Sequence, residues 1–464
     1  MPSHQQLTVI ILAAGQGTRM RSERPKVLHR LAGRTLLDHV IHTTNALHPS
    51  TTYVVVGHGA DAVKAGTEAD VAWIHQAEQL GTGHAVGQVM PHLDDDGIVL
   101  VVYADVPLVS VQTLKECVEA AREGALGLVT AELADPQELG RIIRGANGAI
   151  EAIVEFQDAR PEQRMIAEIN SGILALNSGV MRRLLQAVES DNVQGEYYLT
   201  DIIGLAVASN IAVAGITAER AEDVSGVNDR VQLAELERIY QKREAERLMR
   251  DGVTIADPQR VDIRGEVTAG QDCFIDVNVV LSGRVVLGRG VSLGPGAVIE
   301  DAVLGDEVRV EAHTVIQGAI VAARCTVGPF ARIRPGTKLD EDVKIGNFVE
   351  TKKAHLGRGS KASHLAYLGD ATLGEDCNVG AGTVTCNYDG VDKHRTVIGN
   401  EVFIGTNSTL VAPLEIDSGA YIAAGSTITT KVARDELAVG RGRQRNIQGW
   451  VRPDRRKSGD KAKE

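Results

Sequence analysis

A six-residue period in the second half of the chain constrains its fold more than any other feature. Aliphatic residues recur at every sixth position, with an occasional step of five, and several are followed directly by glycine. This period is typical of a hexapeptide β-helix, in which each hexad forms a short strand and a corner and the aliphatic side chains stack inward. The residues predicted for this core are Leu287, Leu293, Ile299, Leu304, Val310, Ile316, Val321, Val327, Ile333, Leu339, Ile345, Ile398, Ile404, Leu410, Ile416, Ile422 and Ile428.

Composition agrees with this pattern. Aromatic residues make up only 3% of the 464 residues, and 49 glycines stand against 13 prolines. A core of aliphatic residues with frequent glycine suits parallel sheets and β-solenoids better than sandwiches of large rings. One polar stretch, TVTCNYDGVDKHRT at residues 383–396, interrupts the repeat. We expect it to be an extruded loop that serves as a binding surface.

The first half of the chain, up to about residue 230, follows a different pattern. Short apolar runs predict buried strands over residues 9–14, 53–56, 98–102 and 127–131. Helical spacing falls between them, over residues 36–46 and 111–123. Alternation of strand and helix predicts an open, mostly parallel Rossmann-like α/β sheet with helices on both faces.

A charged segment joins the two halves. Residues 230–250 have apolar side chains at helical spacing, and Gly252 ends the run. The predicted organisation is therefore an α/β domain over 1–230, a linker helix over 231–251, and a left-handed parallel β-helix of hexapeptide repeats over 252–464. The last ten residues, RRKSGDKAKE, are polar throughout and are expected to be disordered or loosely attached.

Charge and cysteine content narrow the class of protein. A net charge of −12 argues against nonspecific nucleic-acid binding, which needs a basic surface. The five cysteines are scattered without a CxxC pair, which predicts neither a disulfide framework nor a zinc site. No stretch approaches the roughly 18 apolar residues of a membrane span, and the N-terminus lacks the basic region of a signal peptide. We expect a cytoplasmic protein.

The glycine-rich stretch LAAGQGTRM at residues 12–20 directly follows the apolar run 7–11. Such a turn presents backbone N–H groups to an anion. The signal alone is weak, because the stretch matches neither a Walker sequence nor GxGxxG, and an ordinary turn into a helix is the alternative. Arg19 and Lys26 follow closely and favour a phosphate site.

Several motifs in order give the chain a resemblance to a known family. After LAAGQGTRM and PKVLH come QAEQLGTGHA, YADVP, LGRIIR, IVEFQDA, EINSGI and GEYYLTD, and then HLAYLGD, NVGAGTVTCNYDG and QGW. The first group resembles sugar-1-phosphate nucleotidylyltransferases. Taken together, the whole chain resembles the bifunctional bacterial family in which N-acetylglucosamine-1-phosphate uridyltransferase is joined to glucosamine-1-phosphate acetyltransferase.

The resemblance implies that the first domain transfers UMP from UTP to N-acetylglucosamine-1-phosphate and releases pyrophosphate. It implies a Mg²⁺ ion held by Asp105 and Asn228, whose oxygens suit this ion. Gln76, Gly81 and Thr82 would read the uracil. Ala104 stands where the family usually has glycine, so altered kinetics at most are expected. The implied nucleotide- and sugar-binding residues are Leu12, Ala13, Ala14, Gly15, Arg19, Lys26, Gln76, Gly81, Thr82, Tyr103, Ala104, Asp105, Gly140, Glu155, Asn170 and Asn228.

For the second domain the resemblance implies acetyl transfer from acetyl-CoA to glucosamine-1-phosphate. The reaction needs a base because an ammonium cannot attack a thioester, and His364 matches the family's base. Implied sugar-phosphate residues are Arg334, Lys352, Tyr367 and Asn378, joined by Asn387, with Lys393 as a further candidate. Implied acetyl-CoA residues are Ala381, Asn387, Tyr388, Thr406, Ala424 and Arg441. The family also implies a homotrimer with sites between neighbouring solenoids.

Two other functions remain open at this stage. In one, only the first domain is an enzyme and the solenoid is a regulatory and oligomerising module. His364 and the NYDG loop argue against it, since a purely structural coil needs neither. In the other, the chain is a nucleotide-sugar sensor without catalysis. Lys26, Asp105 and Asn228 argue against that alternative.

Overall fold

The computed structural model describes residues 5–452. The chain divides into two compact units, an N-terminal unit of residues up to 247 together with 258–266, and a C-terminal unit of residues 248–257 and from 267 onward. The tail predicted at 455–464 lies outside the described residues. Within residues 5–452, no helix combines the length and apolarity needed to cross a membrane.

The N-terminal unit is built on a twisted sheet in the order β11-β7-β10-β6-β1-β4-β5, with the hairpin β8–β9 attached to β10 and a separate small hairpin, β2–β3. Its pairings are parallel except in the β8–β9 hairpin and around β10, which runs antiparallel to β6, β7 and β8. The mostly parallel sheet predicted from the sequence is confirmed. The strands are β1 Leu7–Ala13, β2 Arg30–Leu31, β3 Arg34–Thr35, β4 Thr51–Val56, β5 Ala72–His75, β6 Ile98–Tyr103, β7 Leu126–Glu132, β8 Arg141–Arg144, β9 Ile150–Val154, β10 Glu168–Asn177 and β11 Val213–Thr217.

Both faces of this sheet are covered, which explains why its central strands are almost wholly apolar. In β1, Val9 and Ile11 belong to one buried cluster, whereas Ile10 and Leu12 belong to another. The helices are α1 Leu36–Asn45, α2 Ala60–Ala65, α3 Thr82–Gly87, α4 Val111–Arg122, α5 Pro161–Arg164, α6 Ser178–Leu185, α7 Asp201–Ala208 and α8 Arg230–Arg250. The strands and helices predicted above are confirmed, and most of their ends agree with the prediction to within one or two residues.

The C-terminal unit is a parallel β-helix whose strands fall into two sheets. One sheet contains Thr254–Ile255, Phe274–Ile275, Ser292–Leu293, Arg309–Val310, Thr326–Val327, Lys344–Asn347, Lys361–His364, Asn378–Val379, Phe403–Ile404, Tyr421–Ile422 and Leu437–Ala438. The other contains Val261–Ala269, Val279–Leu287, Val298–Glu300, Val303–Leu304, Val315–Gln317, Ile320–Val321, Arg332–Ile333, Lys338–Leu339, Glu350–Lys352, His355–Leu356, Tyr367–Gly369, Ala371–Leu373, Val384–Cys386, Thr396–Ile398, Thr409–Val411, Leu414–Ile416 and Thr427–Ile428.

The hexad pattern places its aliphatic residues inside this solenoid. Every residue predicted for the core is at most 5% exposed. Parallel register stacks them directly, as in the series Leu293, Val310, Val327 and Ile345 on successive coils. The predicted hexapeptide β-helix is therefore confirmed.

The predicted interruption at 383–396 is wrong at both ends. Val384–Cys386 and Thr396–Ile398 are coil strands paired in register with the next coil, so only residues 387–395 leave the solenoid. The prediction assumed that polar residues lie outside the coils. Buried threonines fit inside a coil when their hydroxyls donate to backbone carbonyls. Thr385 Oγ1 donates to the carbonyl of Gly369 at 3.0 Å, and Thr383 Oγ1 donates to that of Gly380 at 2.7 Å.

Candidate functional site

The glycine-rich turn after β1 brings a lysine close to the sheet edge. Gly17 has a φ of 61°, in the left-handed region that favours glycine. A Cβ at Gly17 would lie 2.6 Å from the Cβ of Lys26, so the missing side chain also lets Lys26 pack against the turn. The sequence motif therefore serves the placement of Lys26 as well as the approach of a ligand.

Lys26 joins two oxygen-bearing side chains from distant parts of the chain. Asp105 follows the carboxyl end of β6, where open α/β sheets bind ligands. The ammonium of Lys26 forms an ion pair with Asp105 Oδ2 and lies 3.3 Å from Asn228 Oδ1. The side chains of Lys26 and Asp105 are only 14% and 17% exposed. The two oxygens thus converge on one point, and the protein places a cation there.

This pair of oxygens suits a hard divalent cation. Mg²⁺ is commonly bound by one or two protein oxygens and completes its coordination with water and substrate phosphates. Within the part of the chain that the structure describes, no group of three or more His, Cys, Asp or Glu side chains could hold a metal ion. The Asp105 carboxylate and the Asn228 amide oxygen are a donor set that fits Mg²⁺.

A cavity of about 310 Å³ opens beside this cluster, at the ends of β1 and β6. Its lining residues are Leu12, Ala13, Ala14, Gly15, Lys26, Val27, Gln76, Gln79, Gly81, Thr82, Ala85, Tyr103, Asp105 and Glu196. Most residues predicted for the nucleotide are among them. Arg19 is exposed on the turn outside the lining, and Ala104 is fully buried in the core, so its methyl group does not crowd the cavity.

The residues predicted for the sugar form a second cluster next to the cavity. The backbone N–H of Asn170 donates to the carbonyl of Gly140 at 2.9 Å, and a Cβ at Gly140 would lie 3.1 Å from Glu155 Oε2. Burial raises the pKa of Glu155, while Thr200 Oγ1, which donates to Glu155 Oε1 at 2.9 Å, lowers it in part. Gly140, Glu155 and Asn170 therefore lie together.

Tyr103 belongs to the lining of the cavity and also approaches the segment that carries Asn170. A Cβ at Gly172 would lie 3.0 Å from Tyr103 Cδ2, so the ring packs directly on Gly172. Burial raises the pKa of Tyr103, with a further contribution from the charge of Glu155. The phenol therefore stays protonated and can act as a hydrogen-bond donor.

Sequence reasoning missed two residues that shape this region. Arg141 is only 2% exposed, and its guanidinium donates to the carbonyls of Pro136, Gln137, Leu139 and Arg164, which folds the loop before Gly140 around it. Gln79 Nε2 donates to the carbonyl of Ala14 at 3.0 Å and ties the glycine-rich turn to the segment after β5. Neither has a signal in a single sequence, because the partners are backbone carbonyls.

In the C-terminal unit, His364 is oriented by the preceding coil. Asn347 and His364 end paired strands in direct register, and His364 Nδ1 lies 2.6 Å from Asn347 Oδ1. Because an amide oxygen only accepts, Nδ1 carries the proton and Nε2 keeps its lone pair. The ring is therefore held in the tautomer that a base requires.

Three of the residues predicted for acetyl-CoA continue the same column, whereas Asn387 and Tyr388 lie in the segment that leaves the solenoid. Ile345, Ala362, Val379, Ile404 and Ile422 are paired in register on successive coils. Asn347 and His364 come two residues after the first two of them, and the later members of the column come two residues after the last three. These later members are Ala381, Thr406 and Ala424. Arg441 NH1 donates to the carbonyl of Ala424 at 2.9 Å and ends the column. Strand spacing sets each step at about 4.8 Å.

Three cationic side chains of the solenoid lie close to one another. The pKa of Lys352 is lowered by direct contact with Lys393 and by its charge, and further by the charge of Arg334. Arg334 is in turn paired with Glu350 at 2.7 Å. Like charges held together in this way favour an anionic ligand. The Tyr367 ring packs on Gly369, and Asn378 pairs with Lys361 on the adjoining strand.

The extruded loop is held closed by its own side chains. Asp389 Oδ2 lies 2.7 Å from His394 Nε2, and the backbones of residues 388 and 393 form an isolated antiparallel β-bridge. The pKa of Asp389 is lowered, first by His394 and then by the backbone N–H groups of residues 392 and 391. Asn387 Nδ2 donates to Asp370 Oδ2 at 2.5 Å and anchors the base of the loop.

Family models match three parts of the chain. Residues 9–173 match the MobA-like NTP transferase domain, residues 263–356 the GMPPB C-terminal domain, and residues 395–430 the bacterial transferase hexapeptide of six repeats. A crystal structure of UDP-glucose pyrophosphorylase complexed with UDP-glucose aligns with 51% of this chain and 99% of its own, at 16% identity and a TM-score of 0.42.

Two relatives, each named bifunctional protein GlmU, align over nearly the whole chain. The one from Marinobacter nauticus is 53% identical over 448 residues, which cover 96% of this chain and 99% of the relative. The one from Alkalilimnicola ehrlichii is 53% identical over 454 residues, which cover 97% and 98%. The chain belongs to the bifunctional GlmU family, as the motif resemblance predicted.

Proposed function

We propose that the protein acetylates glucosamine-1-phosphate with acetyl-CoA and then transfers UMP from UTP to N-acetylglucosamine-1-phosphate, releasing pyrophosphate. The product, UDP-N-acetylglucosamine, would serve as a precursor of peptidoglycan and lipopolysaccharide. The observation that carries the proposal is that one chain holds two separate sites, the Lys26–Asp105–Asn228 cluster and the His364–Asn347 pair. All substrates are small molecules, and neither nucleic acid nor a membrane is required.

The first reaction is a displacement at the α-phosphorus of UTP, so positioning and charge neutralisation are its main requirements. Lys26 supplies a fixed positive charge at the cavity that the glycine-rich turn borders. Asp105 and Asn228 would hold Mg²⁺, which when bound neutralises phosphate charge and orients the reacting oxygens. Glu155, Gly140 and Asn170 lie together and would bind the sugar hydroxyls.

The second reaction needs the amine of glucosamine-1-phosphate in its neutral form. His364 Nε2 would accept the amine proton, and Asn347 would hold the neutral ring in the tautomer whose proton is on Nδ1. Arg334, Lys352 and Lys393 would bind the phosphate. Small residues at Ala381 and Ala424 leave room for the pantetheine arm of acetyl-CoA along the column that ends at Arg441.

The test is a pair of assays on the purified protein. Acetyl-CoA consumption would be measured with glucosamine-1-phosphate, and pyrophosphate release would be measured with UTP and N-acetylglucosamine-1-phosphate. Both activities are expected from the one chain. A protein that released pyrophosphate but consumed no acetyl-CoA would instead have a regulatory solenoid, and one that did neither would be a binding protein.

The glycine-rich turn gives a further prediction. A left-handed conformation costs a side chain with a Cβ about 1–2 kcal/mol, and a Cβ at Gly17 would also displace Lys26. We expect Gly17→Ala to lower kcat/KM for UTP by about tenfold, the effect of about 1.4 kcal/mol. Gly124→Ala is the matched control, because Gly124 has a φ of 91° and no atom within 4 Å of its Cβ position. A control with the same loss would contradict the role of Lys26.

The closed loop gives another prediction. Asp389→Asn weakens the pair with His394 and frees the segment that carries Lys393. We expect a several-fold rise in KM for glucosamine-1-phosphate with little change in KM for acetyl-CoA, measured by acetyl transfer. Asp392→Asn, in the same loop, is the control. Unchanged KM values in Asp389→Asn would exclude a role of the closed loop in binding the sugar phosphate.

We also infer a homotrimer that works in the cytoplasm. Phe330, Phe348 and Leu365 form an exposed apolar column, each between 49% and 59% exposed, and Leu365 directly follows His364. An apolar column of this kind favours contact with another copy. The five cysteines are free thiols, as a reducing compartment favours. Sedimentation should show a trimer, and Phe348→Lys should dissociate it and lower acetyl transfer.

A further inference from the structure

The side chain of Gln76 is held at one end by two neighbours. It is only 3% exposed and lines the cavity of the N-terminal unit. Its Nε2 lies 3.1 Å from the carbonyl oxygen of Gly81 and 3.1 Å from His84 Nδ1. His84 lies on α3, and its Nε2 is 3.0 Å from Gln88 Nε2 one turn later.

The chemistry of these partners fixes the orientation of the Gln76 amide. A backbone carbonyl can only accept, so the end of the amide that faces Gly81 must be the NH₂ group. The same NH₂ group faces His84 Nδ1, which must therefore accept and carry no proton. The proton of a neutral imidazole then sits on Nε2, and the Gln88 amide, whose Nε2 faces that nitrogen, has to rotate by 180° to accept the proton with its oxygen.

With both N–H bonds of its amide engaged, Gln76 presents its oxygen to the cavity. Among the hydrogen bonds of the described residues, Gln76 Oε1 has no partner, and the backbone N–H of Gly81 has none either. The cavity therefore offers a hydrogen-bond acceptor, held by His84, next to a backbone donor. Without His84, only the carbonyl of Gly81 would oppose rotation of the amide.

We propose that His84 is a positioning residue that sets nucleobase selection by holding the oxygen of Gln76 toward the base. This inference deepens the proposed use of UTP and rests on it. The Gln76 oxygen can accept a hydrogen bond from the N3–H of uracil. Cytosine has a lone pair at N3, which the same oxygen repels. A freed amide turns its NH₂ group to cytosine and loses this discrimination.

The test compares UTP with CTP in pyrophosphate release by the full-length protein. We expect His84→Ala to lower kcat/KM for UTP by about tenfold and the UTP-to-CTP ratio of kcat/KM by about tenfold, since each lost hydrogen bond is worth about a factor of ten. His84→Asn should restore the ratio to within about threefold, because its side-chain oxygen can accept from Gln76. His92→Ala, an exposed histidine outside the cavity lining, is the control.

Each outcome decides the proposal. Equal losses for UTP and CTP in His84→Ala, or a His84→Asn protein that behaves like the alanine variant, would overturn it and leave His84 a merely structural role. If His84→Ala does not fold, as judged by thermal unfolding, the test uses His84→Asn and Gln88→Ala instead. Gln88→Ala is expected to lower the UTP-to-CTP ratio of kcat/KM. Wild-type protein that released no pyrophosphate from UTP would overturn the proposed function instead.

Discussion

Asp105→Ala should lower pyrophosphate release from UTP by at least about 100-fold, the scale for losing one electrostatic group in a preorganised site. Asp105 is paired with Lys26 and shares its cation with Asn228, so its loss removes both the counter-charge of Lys26 and the carboxylate that would hold Mg²⁺. Acetyl transfer by the same protein should stay at the wild-type rate. The measurement is a parallel assay of both reactions on one preparation.

Three variants make this result interpretable. Asp105→Asn keeps the shape and avoids leaving Lys26 beside an apolar methyl group, so a similar loss would show that the charge matters. Asn228→Ala should give a smaller loss, because an amide oxygen is the weaker of the two ligands. Asp61→Ala, an exposed carboxylate on α2, is the matched control. Wild-type pyrophosphate release by Asp105→Ala would contradict the site assignment.

The second large effect is expected at His364. His364→Ala should lower acetyl transfer by about 10²–10⁴-fold, the range for a general base, and should leave pyrophosphate release unchanged. The physical reason is that the amine must lose a proton as it attacks the thioester. His364 Nδ1 is hydrogen-bonded to Asn347, which leaves Nε2 of the neutral ring to accept that proton. The readout is kcat for acetyl transfer over a range of pH.

The neighbouring coil supplies the controls for this prediction. Asn347→Ala should reduce acetyl transfer less than His364→Ala and should change the pH profile. It removes the hydrogen bond that fixes the ring proton on Nδ1 but leaves the base in place. His355→Ala, a histidine of the same solenoid paired with Asp340 at 2.8 Å, should behave like wild type. Loss of both activities in His364→Ala would indicate a general folding defect instead of a missing base.

Elements with a repeated or periodic pattern could be predicted well from the chain alone. The six-residue repeat identifies the core aliphatic residues from Leu287 to Ile428. The helical spacing of apolar residues within one continuous segment identifies α8. The ends of the extruded loop could not be predicted in the same way. Thr385 and Thr396 are polar in sequence but are buried members of coil strands.

The site was predictable only where the family resemblance named residues. Asp105, Lys26 and Asn228 were expected, and the structure brings them together although they lie 79 and 202 positions apart. Arg141, Gln79 and the role of His84 were not expected. Their partners are backbone carbonyls or a side chain that only the folded chain brings near, so no local pattern records them.

The sequence by itself determined the two architectures, the helix between them and the types of side chain available for each reaction. These depend on local spacing, because burial of a face repeats with the period of the strand, helix or coil that forms it. Tertiary structure alone decided that Gly17 makes room for Lys26, that Asn347 sets the proton of His364 and that His84 turns the amide of Gln76. The first of these is a steric contact and the other two are hydrogen bonds. All three act over about 3 Å, between groups that adjoin one another only after folding.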